Sequence, residues 1–129
     1  MLAIDTNVIV RALIGDEPDQ SRRARALLES EAVFVSTTVL LETEWVLRSA
    51  YRVTAADTAE ALKRLAGLPN VSFEAPVVIE QSLDWMTRGM DFADALHLTA
   101  ARDCAGFATF DRNLGRMTGH LDAVPVRAP

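Results

Sequence analysis

The feature that most restricts this chain is an alternation along its length. Short β-branched runs are separated by longer stretches with helical spacing of apolar residues. The short runs fall at residues 2–5, 33–35, 71–73 and 107–109. Helical stretches are read at residues 7–14, 18–30, 37–51, 54–66, 76–88 and 91–104, with one or two turns at 111–117. A possible edge strand lies at 124–126, where a proline is tolerated. Strands separated by helices need crossover connections, which implies a mostly parallel sheet. The strands are apolar rather than alternating, as expected when helices cover both faces. The fold class expected is therefore α/β, three layers (α/β/α) around a short, mostly parallel central sheet. The run at 2–5 is expected to be a buried strand.

Local signals support these boundaries. Asp16 and Pro18 suit a helix start. The hydroxyls of Ser36, Thr37 and Thr38 suit another, and Thr54 with Asp57 resembles a capping box. Gly67, Gly89 and Gly106 suit helix ends. No linker or repeat divides the chain, so its 129 residues are read as one domain. Half the residues are hydrophobic and 24% are charged, a globular balance.

Composition excludes several functions. The single cysteine, Cys104, can form neither an internal disulfide nor a cysteine-based zinc site within one chain. His97 and His120 do not form an H-E-x-x-H pair. No apolar run approaches the ~18 residues of a membrane span. The first residues lack the pattern of a signal peptide, so the expected location is the cytoplasm. A net charge of −5 argues against a generic basic nucleic-acid binder. Lys63 is the only lysine, however, and the other twelve basic residues are arginines, whose forks suit phosphate.

Four acids stand in unusual places. Asp5 ends the first apolar run. Glu42 sits in Val39-Leu40-Leu41-Glu42, Asp94 inside Phe92-Ala93-Asp94-Ala95-Leu96, and Asp111 just after Phe107-Ala108-Thr109-Phe110. In a parallel sheet the C-terminal strand ends share one edge, and the helices that follow begin there. Ligand sites of open α/β sheets lie at that edge. Carboxylates gathered in one cleft repel and raise one another's pKa. A hard divalent cation resolves the conflict, and acids without paired His or Cys favour Mg²⁺ or Mn²⁺. Asp5 and Asp94 are the candidate metal ligands, with Glu42 and Asp111 completing the catalytic set directly or through water. Thr6, Asn7 and Thr109 are candidates to orient them.

All of these acids but Glu42, which is past the first turn of its helix and flanked by apolar residues, also have a purely structural reading. Asp5, Asp91 and Asp111 can cap helices, and Asp94 can favour a helix dipole. Asp91 is read mainly as a cap. Glu44, two residues past Glu42, is expected to point away into solvent. Trp45 and Trp85 are expected in the core. His97 is one turn past Asp94 and is read as packed or surface-exposed. Arg11, Arg22, Arg23 and Arg25 form a basic cluster, read by default as a solvated helix face.

Asp5-Thr6-Asn7-Val8 after an apolar strand, Glu42 in a Leu-Leu-Glu helix, Asp-Phe-Ala-Asp-Ala-Leu-His-Leu around Asp94, and Thr109-Phe110-Asp111-Arg112-Asn113 resemble the motifs of PIN-domain ribonucleases. More narrowly, the chain is similar to VapC-type toxins of toxin–antitoxin pairs, over nearly its whole length. The resemblance implies Mg²⁺- or Mn²⁺-dependent RNA cleavage, in which an activated water leaves a 5′-phosphate and a 3′-hydroxyl. Asp5, Glu42 and Asp94 match the three main acids and Asp111 the usual fourth. Asn113 stands where some relatives carry another acid. The resemblance also implies a homodimer and a cognate antitoxin.

Two other readings compete. A haloacid-dehalogenase-like phosphatase also ends its first strand in Asp, but needs an Asp where Asn7 stands, and Lys63 is poorly placed for it. A non-catalytic binding module would keep the fold and use the acids only as caps.

Overall fold

The computed structural model describes residues 1–129. In chain order it contains β1 (Leu2–Ala3), α1 (Thr6–Leu13), α2 (Pro18–Ser30), β2 (Val33–Val35), α3 (Thr37–Ser49) and α4 (Ala55–Ala66). These are followed by β3 (Val71–Phe73), α5 (Pro76–Thr87), α6 (Phe92–Ala100), β4 (Phe107–Ala108), α7 (Arg112–Met117), a 3-10 turn at Thr118–His120 and β5 (Val126–Arg127). This is the three-layer α/β/α architecture expected from the alternation, and all its strand pairings are parallel.

The sheet is smaller and more divided than the sequence implies. β1, β2 and β3 form one sheet in that order, while β4 pairs with β5 apart from it. In β2, Val33 and Val35 have no exposed surface, because the strand is paired on both sides and covered by helices. β1 is an edge strand. Leu2 is 46% exposed and Ala3 is exposed, so the expectation of a buried strand at 2–5 fails. Only Ile4, past the paired residues, is buried. The C-terminal strand is shifted from 124–126 to Val126–Arg127. Pro125 lies just before it, and its carbonyl accepts from the Phe107 amide at 2.8 Å.

The core has two parts. The larger joins Ile9 of α1, Val33 and Val35 of β2, Leu40 of α3, Leu62 of α4, Ile79 and Leu83 of α5 and Phe92 of α6. The smaller gathers Trp85, Met90, Ala95, Leu98 and Leu114 under the β4–β5 pair. α6 therefore contributes to both, which fixes its position between them. No helix is long and apolar enough to cross a membrane.

Most helix starts follow their sequence signals. The Ser36 and Thr54 hydroxyls accept from the amides of Val39 and Asp57. Pro18 opens α2, but Asp16 does not cap it; its carboxylate is drawn off by Arg11 and Tyr51. α6 stops at Ala100 rather than near Cys104. The Ala101 amide shares the carbonyls of His97 and Leu98, which tightens the last turn and ends the helix.

The turn from α5 into α6 uses Gly89 at φ +102°, a conformation that L side chains rarely adopt. Nothing lies within 4 Å of a methyl built there, so the cost of a side chain is confined to the backbone. Gly89→Ala is expected to destabilise the protein by about 1–2 kcal/mol, read from the midpoint of urea unfolding.

Candidate active site

The candidate acids sit where helices begin. Asp5 caps α1, and its Oδ1 accepts from the Val8 amide at 3.1 Å. Asp111 caps α7, and its Oδ1 accepts from the amides of Asn113 at 2.9 Å and Leu114 at 3.3 Å. The Thr109 hydroxyl in turn accepts from the Asp111 amide at 3.0 Å, which ties the end of β4 to that cap. Asp91 caps α6 as expected and accepts from the Asp94 amide at 3.2 Å. The capping reading is thus correct for Asp5, Asp91 and Asp111. Capping spends one oxygen of each, and Oδ2 of Asp5 and of Asp111 takes no hydrogen bond from the protein.

Glu42 projects from α3 and accepts a short hydrogen bond from the buried Thr6 hydroxyl at the start of α1. That contact joins two segments 36 residues apart and brings Glu42 to the residue next to Asp5. Asn7 is exposed beside them.

Asp94 is half-buried in the first turn of α6, and its side chain has no hydrogen-bond or ion-pair partner in the protein. Burial pushes its carboxyl above the ordinary carboxylate range, and the negative charges of Asp91 and Asp111 push it further. The exposed His97 acts in the opposite sense. Asp94 and Asp111, from separate parts of the chain, are therefore electrostatic neighbours.

Two residues depart from the sequence reading. Glu44 is not solvated: it is 2% exposed, inside α3's packed face. Successive helical residues are ~100° apart, so Glu42 and Glu44 look in nearly opposite directions. The side that faces the neighbouring helices is the one with Glu44. Its burial is compensated by Arg48 one turn on, which also reaches Asp91 Oδ1 at 3.4 Å. Burial raises the Glu44 carboxyl despite the opposing effect of Arg48, and bonding to Glu44 raises Arg48. Trp85 is buried as expected, but Trp45 is 62% exposed, one turn from Glu42 on the same face. Phe110, beside Asp111, is 87% exposed. Sequence reasoning missed Arg48. Its spacing of four from Glu44 was the available signal.

A contrast emerges between two sets of acids. Arg48 neutralises Glu44 and Asp91, whereas Asp5, Glu42, Asp94 and Asp111 form no ion pair. These four do not close into a cage, and no three or more His, Cys, Asp or Glu side chains are grouped closely enough to hold a metal ion as they stand. The donor set is carboxylate and hydroxyl, and the repulsion acting on Asp94 is the kind a cation relieves. The residues therefore fit a hard dication held by one or two carboxylates with water completing its octahedron, and not a closed protein-only site.

The PIN domain family model matches residues 2–119, and the chain belongs to that family. It carries a nuclease-type fold of the hydrolase class, whose members are typically metal-dependent and generally use divalent ions. No curated protein matches the chain.

Linkage fixes the sign of one consequence. Asp94 holds its proton more tightly when folded, so stability falls as pH rises from the unfolded carboxylate pKa through the raised folded one, and stays reduced above both. Without added metal, Asp94→Asn should raise the melting temperature at pH 7 by a few degrees, and the gain should vanish once pH is below the ordinary Asp range. Calorimetry across pH checks this; an unchanged or lower melting temperature at pH 7 contradicts it.

Proposed function

We propose that this protein is a Mg²⁺-dependent endoribonuclease, with Mn²⁺ as a possible substitute, and the toxin of a toxin–antitoxin pair. The observation that carries the reading is Asp94, a half-buried carboxylate with no hydrogen-bond or ion-pair partner, set close enough to Asp91 and Asp111 for their charges to oppose its own. A half-buried carboxylate beside other carboxylates is costly to a fold, and a bound cation offsets that cost. Asp5 and Asp94 would hold the ion, Asp5 through its free Oδ2. A dication there supplies charge for the scissile phosphate and lowers the pKa of a water nucleophile. Thr6 fixes the rotamer of Glu42, and Thr109 fixes the backbone of the Asp111 cap, so that both acids face the site in one orientation. The exposed Trp45 and Phe110 offer faces on which unpaired bases stack, which favours single-stranded RNA or unpaired regions of structured RNA. The resemblance to VapC-type toxins extends the proposal to a homodimer inhibited by a cognate antitoxin in the cytoplasm.

Mixed cellular RNA incubated with the purified chain should be cut in Mg²⁺ and left intact in EDTA. Asp5→Asn and Asp94→Asn should each lower the rate by at least about a hundredfold, since residues that merely orient metal ligands cost ~10–100-fold when removed. Full activity in either variant would refute the assignment.

A second reading has its own observation: three of the acids of this region, Asp5, Asp91 and Asp111, are satisfied helix caps. A binding module needs no more than that. Millimolar Mg²⁺ should raise the melting temperature of the wild-type chain but not that of Asp94→Asn if the acids share an ion. A module with isolated caps would show no such difference.

A further inference from the structure

Three aspartates cap helices in this chain, and their oxygens are not used alike. Asp5 engages only Oδ1, with the Val8 amide. Asp111 also engages only Oδ1, with the amides of Asn113 and Leu114. Asp91 is the exception. Its Oδ2 accepts from the Asp94 amide at 3.2 Å, and its Oδ1 takes Arg48 Nη2 at 3.4 Å. Arg48 is itself anchored, because its Nε donates to Oε1 of Glu44, which is buried in α3. An unbroken chain of contacts therefore runs from the core through Glu44, Arg48 and Asp91 to the backbone of Asp94.

Neither helix packing nor capping requires this bracket. α6 is already fixed by Phe92 in the larger core and by Ala95 and Leu98 in the smaller one. Asp5 and Asp111 cap α1 and α7 with no arginine on either. A buried ion pair adds little to a fold, because desolvation of its charges offsets their attraction. What the bracket does change is the availability of Asp91. Asp91 stands at the cap of α6 with Asp94 three residues on, near enough for the charge of one to act on the other. In a reciprocal capping box the acid at the third helical position reaches back to the amide of the cap residue. Asp94 does not, and its carboxyl keeps no partner. Two neighbouring carboxylates are thus in opposite states: Asp94 is free, and Asp91 is engaged at both oxygens.

We infer that the Glu44–Arg48 pair withholds Asp91 from the dication, so that Arg48 is a positioning residue that limits how many carboxylates the metal site presents. The inference rests on the nuclease reading, in which Asp94 is a metal ligand, and concerns the ion selectivity of that site. Selectivity between hard dications follows from ligand number and flexibility. Ca²⁺ takes about six to eight oxygen ligands, whereas Mg²⁺ keeps several waters and uses one or two carboxylates. With Asp91 held by Arg48, the ion at Asp94 retains room for water, which suits Mg²⁺. Asp91 released from Arg48 brings a further carboxylate beside Asp94, which suits Ca²⁺ better.

The test is calorimetric titration of Ca²⁺ and of Mg²⁺ into the full chain without RNA, so that turnover does not enter. Glu44→Gln/Arg48→Gln removes one negative and one positive charge together, which keeps the net charge and leaves no buried carboxylate unpaired. It should bind Ca²⁺ roughly threefold to tenfold more tightly than wild type while Mg²⁺ changes less, so that the ratio of the two affinities moves toward Ca²⁺. Adding Asp91→Asn, which keeps a capping side chain, should return the ratio to that of Asp91→Asn alone. Glu60→Gln/Arg64→Gln, a pair of the same spacing on the exposed side of α4, should leave the ratio at the wild-type value. Circular dichroism melts in EDTA establish which variants are folded, and Arg48→Gln alone carries the same prediction should the double variant unfold. A pair that only supports the fold leaves the ratio unchanged or weakens both ions together, and either result in a folded variant overturns the proposal. So does a shift that survives Asp91→Asn. A wild-type chain that binds neither ion removes the metal-site reading and this proposal with it. A chain that shows the shift yet cuts no RNA in Mg²⁺ keeps the role of Arg48 and removes the nuclease reading.

Discussion

The larger core of this molecule is arranged around the burial of β2. Val33 and Val35 are fully shielded, and the strand is hydrogen-bonded to a parallel neighbour on each side. Parallel pairing requires the chain to cross back over the sheet between strands, so each strand is followed by helix. The helices after β1, β2 and β3 begin within a few residues of the strand ends: Thr6 after Ala3, Thr37 after Val35, Pro76 after Phe73. Their first turns leave backbone N–H groups without intrahelical partners. Short polar side chains at the strand ends satisfy them, and Asp5 and Ser36 do so here. A fold built around one buried parallel strand therefore places polar side chains such as Asp5 and Ser36 at its strand ends.

The acids near the helix starts are treated in two ways. α3 is the element that separates the two cases. Its buried side carries Glu44 and Arg48, which extend to Asp91 and tie α3 to the start of α6 through compensated charges. Its exposed side carries Glu42, joined to α1 by a neutral donor, Thr6. Asp94, in the first turn of α6, has no ion-pair partner, and burial with the charges of Asp91 and Asp111 raises its carboxyl against the opposing effect of His97. A residue held at such a cost with no structural partner is the pattern expected where stability has been exchanged for function.

The helix start signals at Ser36, Pro18 and Thr54, and the capping by Asp5, Asp91 and Asp111, were legible because they depend on neighbours within a few residues. The same holds for β2 and β3. Elsewhere the local signal was incomplete. The run at 2–5 has the composition of a buried strand, yet β1 lies at a sheet edge because β4 pairs with β5 instead. That choice is made between segments a hundred residues apart in sequence. Asp16 has the composition of a cap, but Arg11 and Tyr51 compete for it across the tertiary structure.

The sequence by itself determined the order of the elements, their parallel connection and the identity of the acids at their ends, since apolar periodicity and capping act over one or two turns. Only the tertiary structure decided which side of α3 is buried. Val39, Leu40, Leu41, Trp45, Val46 and Leu47 place apolar groups around almost the whole helix, so periodicity does not distinguish the face of Glu42 from that of Glu44. Packing against α1, α4 and α6 settled it, burying Glu44 with Arg48 and leaving Glu42 and Trp45 outside. The state of Asp94 was settled the same way, because charge and desolvation act through space on groups that the chain brings together only when folded.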